Sequence, residues 1–276
     1  MTGATNENSK FVSQNLFNVE GWTCVVTGVA TGIDLMIAQA FANNGARVYI
    51  VGRRADALQT TIDKWGSLLA HQQGKMIPLT ADITDKAPLE MLAKDIGSKE
   101  KKVGVLVNNA GINLGTSEVS EKGRDSVKAL QKELCDEKQE NWEAVYRTNV
   151  IASSDLCISD ADLDCPGHTG PAINVSSISG ITRTTHQPGV KVRVNSIAPG
   201  IFPADTSDDQ NKSRISTGGS YGEKKGIPAG RAGDDEDMAQ IALFLACNEY
   251  MYGQVNISVL PLVLAVPTSP KTAHIS

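Results

Sequence analysis

A chain of 276 residues, 41% hydrophobic and 21% charged, has the material for one large α/β domain or two small ones around a buried core. Its formal net charge of −5, with no basic cluster interleaved with aromatics, argues against nucleic acid as a partner. The most apolar run, residues 255–266, is broken by Asn256, Ser258 and Pro261 and falls short of the roughly 20 residues that cross a bilayer, and five scattered cysteines without C-x-x-C spacing point to a reducing, cytoplasmic setting.

Residues 1–18 are polar, lack a signal-peptide core and read as a mobile tail. A β-branched run at 23–27 enters a glycine-rich turn, Gly28 to Gly32, and a helix is expected from Ile33 to a stop at Asn43-Asn44-Gly45. The second strand, 47–51, leads into Gly52-Arg53-Arg54. Leu58, Ile62, Trp65 and Leu69 then recur at helical spacing. A third strand at 76–79 ends at Ala81-Asp82-Ile83, and Leu89, Leu92 and Ile96 mark another helix. The fourth strand, 103–107, runs into Asn108-Asn109-Ala110-Gly111. Strands alternating with helices at this pace predict a doubly wound parallel sheet of βαβ units.

Beyond it the pattern loosens. Val127, Leu130 and Leu134 fall on one face of a helix in a charged segment, and 142–150 continues helical. Residues 151–170 lack an apolar stripe and read as loop. Strands return at 172–176 and 190–197, the second ending in Ala198-Pro199-Gly200. Residues 201–233 form a polar excursion. Asp234 caps a last helix with Met238, Ile241, Ala242 and Leu245 on its core face, and a final strand opens at 252–255. No internal repeat or domain break is visible, so 19–255 reads as one Rossmann-like domain, eroded at 151–190 and followed by a divergent tail at 256–276.

Strand, glycine-rich turn and helix together build an anion site from backbone N–H groups, and the turn needs glycine where a pyrophosphate approaches the backbone. The spacing here is G-x-x-x-G, with Asp34 where a third glycine would stand. Alone that is a weak signal. The full set comprises Thr27-Gly28-x-x-x-Gly32-Ile33, Asp82, Asn108-Asn109-Ala110-Gly111, Asn149, Ile173-Asn174-Val175-Ser176-Ser177 and Val194-Asn195-Ser196-Ile197-Ala198-Pro199-Gly200. In that order it resembles the short-chain dehydrogenase/reductase family over most of the chain, with a flavour of its 3-oxoacyl-(acyl carrier protein) reductase-like branch in lipid and secondary metabolism.

The resemblance implies hydride transfer between a nicotinamide cofactor and a carbonyl or alcohol substrate. It implies cofactor contacts at Gly28, Ala30, Thr31, Gly32, Ile33, Asp82, Ile83, Asn109, Ala110, Gly111, Pro199, Gly200 and Phe202, a carbonyl-polarising role for Ser177 and a proton-relay role for Asn149. Arg53 and Arg54 follow Gly52 where NAD users carry an acidic residue, and two guanidinium forks there suit a 2′-phosphate, which favours NADP(H) over a reading as surface charge. Asp34 adds bulk and negative charge beside the pyrophosphate and is expected to weaken binding.

The family's Y-x-x-x-K pair should follow Ser177 by about a dozen residues. Residues 181–190 hold no tyrosine, and the 22 positions from Ser177 to Pro199 are about a 20-residue helix, some 30 Å, short of the pattern. That helix normally contributes to the homo-oligomer interface, which is therefore expected to be lost. His186 and the Tyr221/Lys225 pair are the available substitutes, although a solvated histidine and a polar lid loop are the plainer readings. Asp160, Asp162 and Asp164 lack the glycine and glutamate of a calcium loop, and Cys165 with His168 lacks further zinc ligands, so no metal is expected. Two functions follow: an NADP(H)-dependent ketone reductase, acting on a 3-oxoacyl or polyketide-like substrate with water or His186 as proton source, or a catalytically impaired or inactive homologue, truncated or mis-spliced, with at most weak nucleotide binding.

Overall fold

The computed structural model describes residues 7–28, 32–112, 114, 126–135, 138–152, 164–165, 168–175, 192–200, 202, 231–251 and 255–258. Ahead of the sheet, Glu7–Phe11 forms a 3-10 turn and α1 (Ser13–Leu16) a single α turn. Strands β1 (Thr23–Thr27), β2 (Arg47–Gly52), β3 (Lys75–Thr80) and β4 (Val105–Asn108) alternate with helices α2 (Ile33–Asn43), α3 (Ala55–Trp65) and α4 (Lys86–Lys99). Helices α5 (Val127–Cys135) and α6 (Gln139–Tyr146) follow, and α6 widens into a π turn at Arg147–Ile151. Strands β5 (Asp164–Cys165), β6 (His168–Val175), β7 (Val192–Pro199) and β8 (Val255–Ser258) complete the sheet, with α7 (Asp235–Cys247) between the last two.

The order β3-β2-β1-β4-β6-β7-β8 is parallel throughout, and β5 adds an antiparallel pair to β6. This is the doubly wound α/β sheet expected from the sequence. All five residues of β1 are buried, as a central parallel strand covered on both faces requires. Their side chains alternate between two cores. Cys24 and Val26 join Ile37, Phe41, Leu58, Met238 and Leu245 under α2, α3 and α7, whereas Val25 joins Tyr49, Val51, Leu89, Leu92, Ile96 and Leu106 under α4. Each buried Leu, Ile or Phe contributes roughly 1.5–3 kcal/mol, so these two layers dominate the stability of the sheet.

One expectation is corrected. Within the stretch read as loop, β5 pairs with β6 through Cys165↔His168 and Asp164↔Thr169, and β6 begins at His168 rather than at 172. No apolar period marks those residues. Their strand character comes from ladder bonds to a neighbour, Gly170↔Val192 and Pro171↔Arg193 among them, which a local pattern does not carry. The segment where a core helix is expected to be missing, 176–191, lies outside the described residues.

Two polar clusters fix the frame. At the amino ends of β1 and β2, the Glu100 carboxylate accepts from Arg47 Nε (2.9 Å) and Nη2 (2.6 Å), Tyr49 Oη (3.0 Å) and Thr23 Oγ1 (3.1 Å), and the Arg47 bonds hold its carboxyl below the usual range. At the far side of the sheet, Arg193 of β7 is buried and donates to the carbonyls of Leu245 (3.0 Å), Ala246 (2.8 Å), Asn248 (3.0 Å) and Met251 (3.2 Å). It therefore satisfies the carboxyl end of α7, whose last C=O groups have no helical partner. At the other end of that helix, Asp234 and Asp237 exchange side-chain and backbone bonds in a reciprocal capping box.

Candidate functional site

Strand β1 has β2 on one side and β4 on the other, so chain direction across the sheet reverses between β1 and β4. In an open α/β sheet the crevice beyond the carboxyl ends of the strands at such a point is the place for a ligand. A cavity of about 630 Å³ opens there, lined from four strand ends: Gly28 after β1, Val51 to Arg54 at β2, Ala81 to Thr84 after β3 and Asn109 to Ile112 after β4, with Asp34 and Thr148.

Thr27 sets the geometry of its floor. Its Oγ1 donates to Val107 O (3.3 Å) and accepts from the backbone N–H of Asn109 and of Ala110 (3.2 Å each), drawing the β4 exit over the β1 exit. Gly28 is then crowded by main chain. At φ +95° it holds a conformation that side chains disfavour, and a Cβ there would meet Ala110 Cα at 2.8 Å. The bare backbone is thus imposed by the fold and leaves a shelf that a large ligand can approach closely.

Asp34 overhangs this shelf from the first turn of α2. Its Oδ2 lies 2.8 Å from where a Gly28 Cβ would be, and its Oδ1 accepts from Asn109 Nδ2. Burial pushes its carboxyl up to about 8 against the smaller opposing effect of its hydrogen bonds. Asp82 behaves oppositely. It accepts from the Thr84 hydroxyl (2.7 Å) and the Thr84 N–H (2.9 Å), and these bonds, with Arg53 adding a smaller share, hold it below the usual carboxylate range. Arg53 and Arg54 are exposed at the same rim, so one end of the cavity carries two cations in reach of solvent-borne anions.

Of the residues expected to touch a cofactor, Gly28, Arg53, Arg54, Asp82, Ile83, Asn109, Ala110 and Gly111 are brought together around this cavity. Gly32 and Ile33 stand at the start of α2, outside its lining. Asn149 lies in the π turn behind it, accepting from Ile112 N (2.9 Å) and donating to Ile112 O (3.1 Å), and so braces the strand exit that carries Gly111. Pro199 ends β7, Gly200 follows it, and Phe202 is packed in the α2/α7 core, where its ring leaves room for no side chain at Gly233. Ala30, Thr31, Ser177, His186 and the Tyr221/Lys225 pair lie outside the described residues. Thr84 and Thr148, which also line the cavity, carry no local sequence signal beyond their places after β3 and in the π turn.

Comparison with known proteins finds relatives of this fold over most of the chain. The family model described as short chain dehydrogenase matches residues 23–190. The short-chain dehydrogenase/reductase PhomF of Diaporthe leptostromiformis is 31% identical, covering 90% of this chain and 93% of its own. The 3-oxoacyl-[acyl-carrier-protein] reductase FabG of Thermotoga maritima is 28% identical, covering 86% and 96%. Among solved structures, the Pseudomonas aeruginosa RhlG/NADP active-site complex superimposes with a TM-score of 0.67 at 26% identity, covering 88% of this chain and 96% of that one. No described helix is long and apolar enough to cross a membrane.

Proposed function

The chain belongs to the short-chain dehydrogenase family, and on that premise we propose that it holds NADP(H) in the cavity at the β1/β4 switch and has lost most of the family's capacity to reduce a ketone. The observation that supports the nucleotide most directly is the bare shelf at Gly28 facing a rim with Arg53 and Arg54. The shelf suits a pyrophosphate, and two guanidinium groups after a strand that ends in Gly52 suit a ribose 2′-phosphate. The nicotinamide would supply the hydride. Asp82, with both Thr84 bonds holding it ionised, and Asn109 to Gly111 would position the adenosine half.

The substrate class that fits the descent is a ketone of 3-oxoacyl or polyketide-like type, following the reductase of Thermotoga maritima among the relatives. Ser177 would polarise its oxygen. Proton delivery is the deficient step, because no tyrosine occurs anywhere from 178 to 199, and water or His186 is left to serve. Asp34, beside the pyrophosphate seat, weakens the cofactor further, through its bulk and, once the carboxyl ionises above about 8, through like-charge repulsion.

Fluorescence titration tests the cofactor choice. NADPH is expected to bind more tightly than NADH, and the paired change Arg53→Ala with Arg54→Ala should erase that preference. The expected loss for NADPH is roughly 10- to 100-fold, as for one charge-assisted bond of about 1.5–3 kcal/mol, with NADH little affected. NADH bound as tightly as NADPH by the unaltered chain would refute the assignment.

A further inference from the structure

We propose that Asp34 makes this cavity select its ligand by charge: where Asp34 is ionised, a diphosphate-bearing nucleotide enters together with one proton taken up by its carboxylate, whereas an uncharged nucleoside enters without one. This rests on the nucleotide reading above and concerns the regulation of that same site.

Three placements carry it. Asp34 stands in the first turn of an eleven-residue helix, half-buried, with its carboxyl in the cavity wall. One oxygen hangs over Gly28, the backbone position that the fold keeps bare, and the other is held by Asn109 Nδ2 from the end of β4. When ionised, the carboxylate is thus an anion placed where a ligand's phosphate would approach the open backbone. A ligand phosphate brought to the same shelf meets a like charge in partly buried surroundings, and protonation of one partner relieves it. The protonated carboxyl also gains an O–H donor for a phosphate oxygen, so the same proton turns repulsion into a hydrogen bond.

The surroundings leave this titration to Asp34. Among the described residues, the Gly28 backbone from the β1 exit lies beneath one carboxyl oxygen, and Asn109 from the β4 exit donates to the other. Arg53 and Arg54 from the β2 exit and Asp82 from the β3 exit line the same cavity, but burial is the largest influence on the Asp34 carboxyl. Helix α7, packed on α2, contributes Met238, Ala242 and Leu245 to the core they share. Burial therefore dominates, and with the carboxyl pushed up to about 8 the protonated form is at hand near neutrality.

The test is calorimetric titration of the full chain with NADP+ and with adenosine, in buffers of different ionisation heat, on the parent and on Asp34→Asn, with Asp34→Ser as a smaller neutral companion. From about pH 7 to about pH 9.5 the parent's Kd for NADP+ should rise at least about tenfold, with proton uptake approaching one per nucleotide at the upper end. In the variants the rise should stay below about threefold, with no uptake attributable to this site, and adenosine should show neither effect in any of them. Without ligand, the sign is also fixed: a folded carboxyl near 8 against an unfolded one near 3.9 means that stability is lost as pH climbs between them, so Asp34→Asn should gain on the parent in melting temperature over that window. Equal pH slopes and equal proton uptake in parent and variants would overturn the role of Asp34 while leaving the nucleotide reading standing. Absence of saturable NADP+ binding in all of them would overturn both.

Discussion

Supplied with NADPH and a panel of ketones, the purified chain is expected to turn over roughly 10²–10⁴-fold more slowly than the active reductases of its family, the factor that a positioned general acid supplies. Hydride transfer to a carbonyl leaves an oxyanion that must be protonated as it forms. The family does this with a phenol, whose ordinary pKa near 10 is useful only when a cation beside it favours the phenolate. Here the block Ile173-Asn174-Val175 is in place on β6, and Val194-Asn195-Ser196 is in place on β7, its parallel neighbour. Between the end of β6 and the start of β7 the sequence has 16 residues, 176–191, none of them tyrosine and about a 20-residue helix fewer than the family pattern. Absorbance at 340 nm follows the reaction. A rate within tenfold of typical relatives would show that His186, Tyr221 or water does what the missing pair does elsewhere.

The largest stability effect is expected at Arg193. Its guanidinium is buried and donates to four carbonyls at the carboxyl end of α7 and the segment after it. Replacement by leucine removes those donors and leaves several C=O groups facing an apolar side chain. Each buried carbonyl left without a donor costs about 1–3 kcal/mol, offset in part because a guanidinium no longer has to be buried, so a net loss on the order of a few kcal/mol is expected. The loss should be visible as a fall in the denaturation midpoint without a change in slope. Arg193→Lys should recover only part of it, because one ammonium cannot spread donors over Leu245, Ala246, Asn248 and Met251 as the planar fork does. A midpoint in Arg193→Leu equal to the parent's would mean that α7 is held by its apolar face alone.

Residues that act within one element were legible in the sequence, and residues that act between elements were not. Gly45 ends α2 and Asp234 begins α7 as their residue types predict, and the alternation of β1 between two cores follows from its unbroken burial. Gly28 of the glycine-rich turn, the arginines after β2 and the Asn109-Ala110-Gly111 run all announced the cavity they line. Arg193, by contrast, sits in a strand as an ordinary cation, and its role exists only because α7 ends against β7. The part played by Thr27 depends on the β4 exit 82 positions later, and that of Asp34 on Asn109 75 positions later. Asp34 was legible as a misfit among glycines, and its hold on Asn109 was not. The β5–β6 pair shows the same limit, since its strand character is lent by partners rather than by period.

Hydrogen–deuterium exchange of the unaltered chain, with and without NADPH near neutral pH, tests most directly whether the switch-point cavity is a working dinucleotide site. Protection is predicted at Gly52 to Arg54, at Asp82 to Thr84 and at Asn109 to Ile112, the backbone that lines the cavity. No change at these three segments at saturating NADPH, or protection confined to the amino ends of β1 and β2 around Trp22 and Glu100, would contradict it.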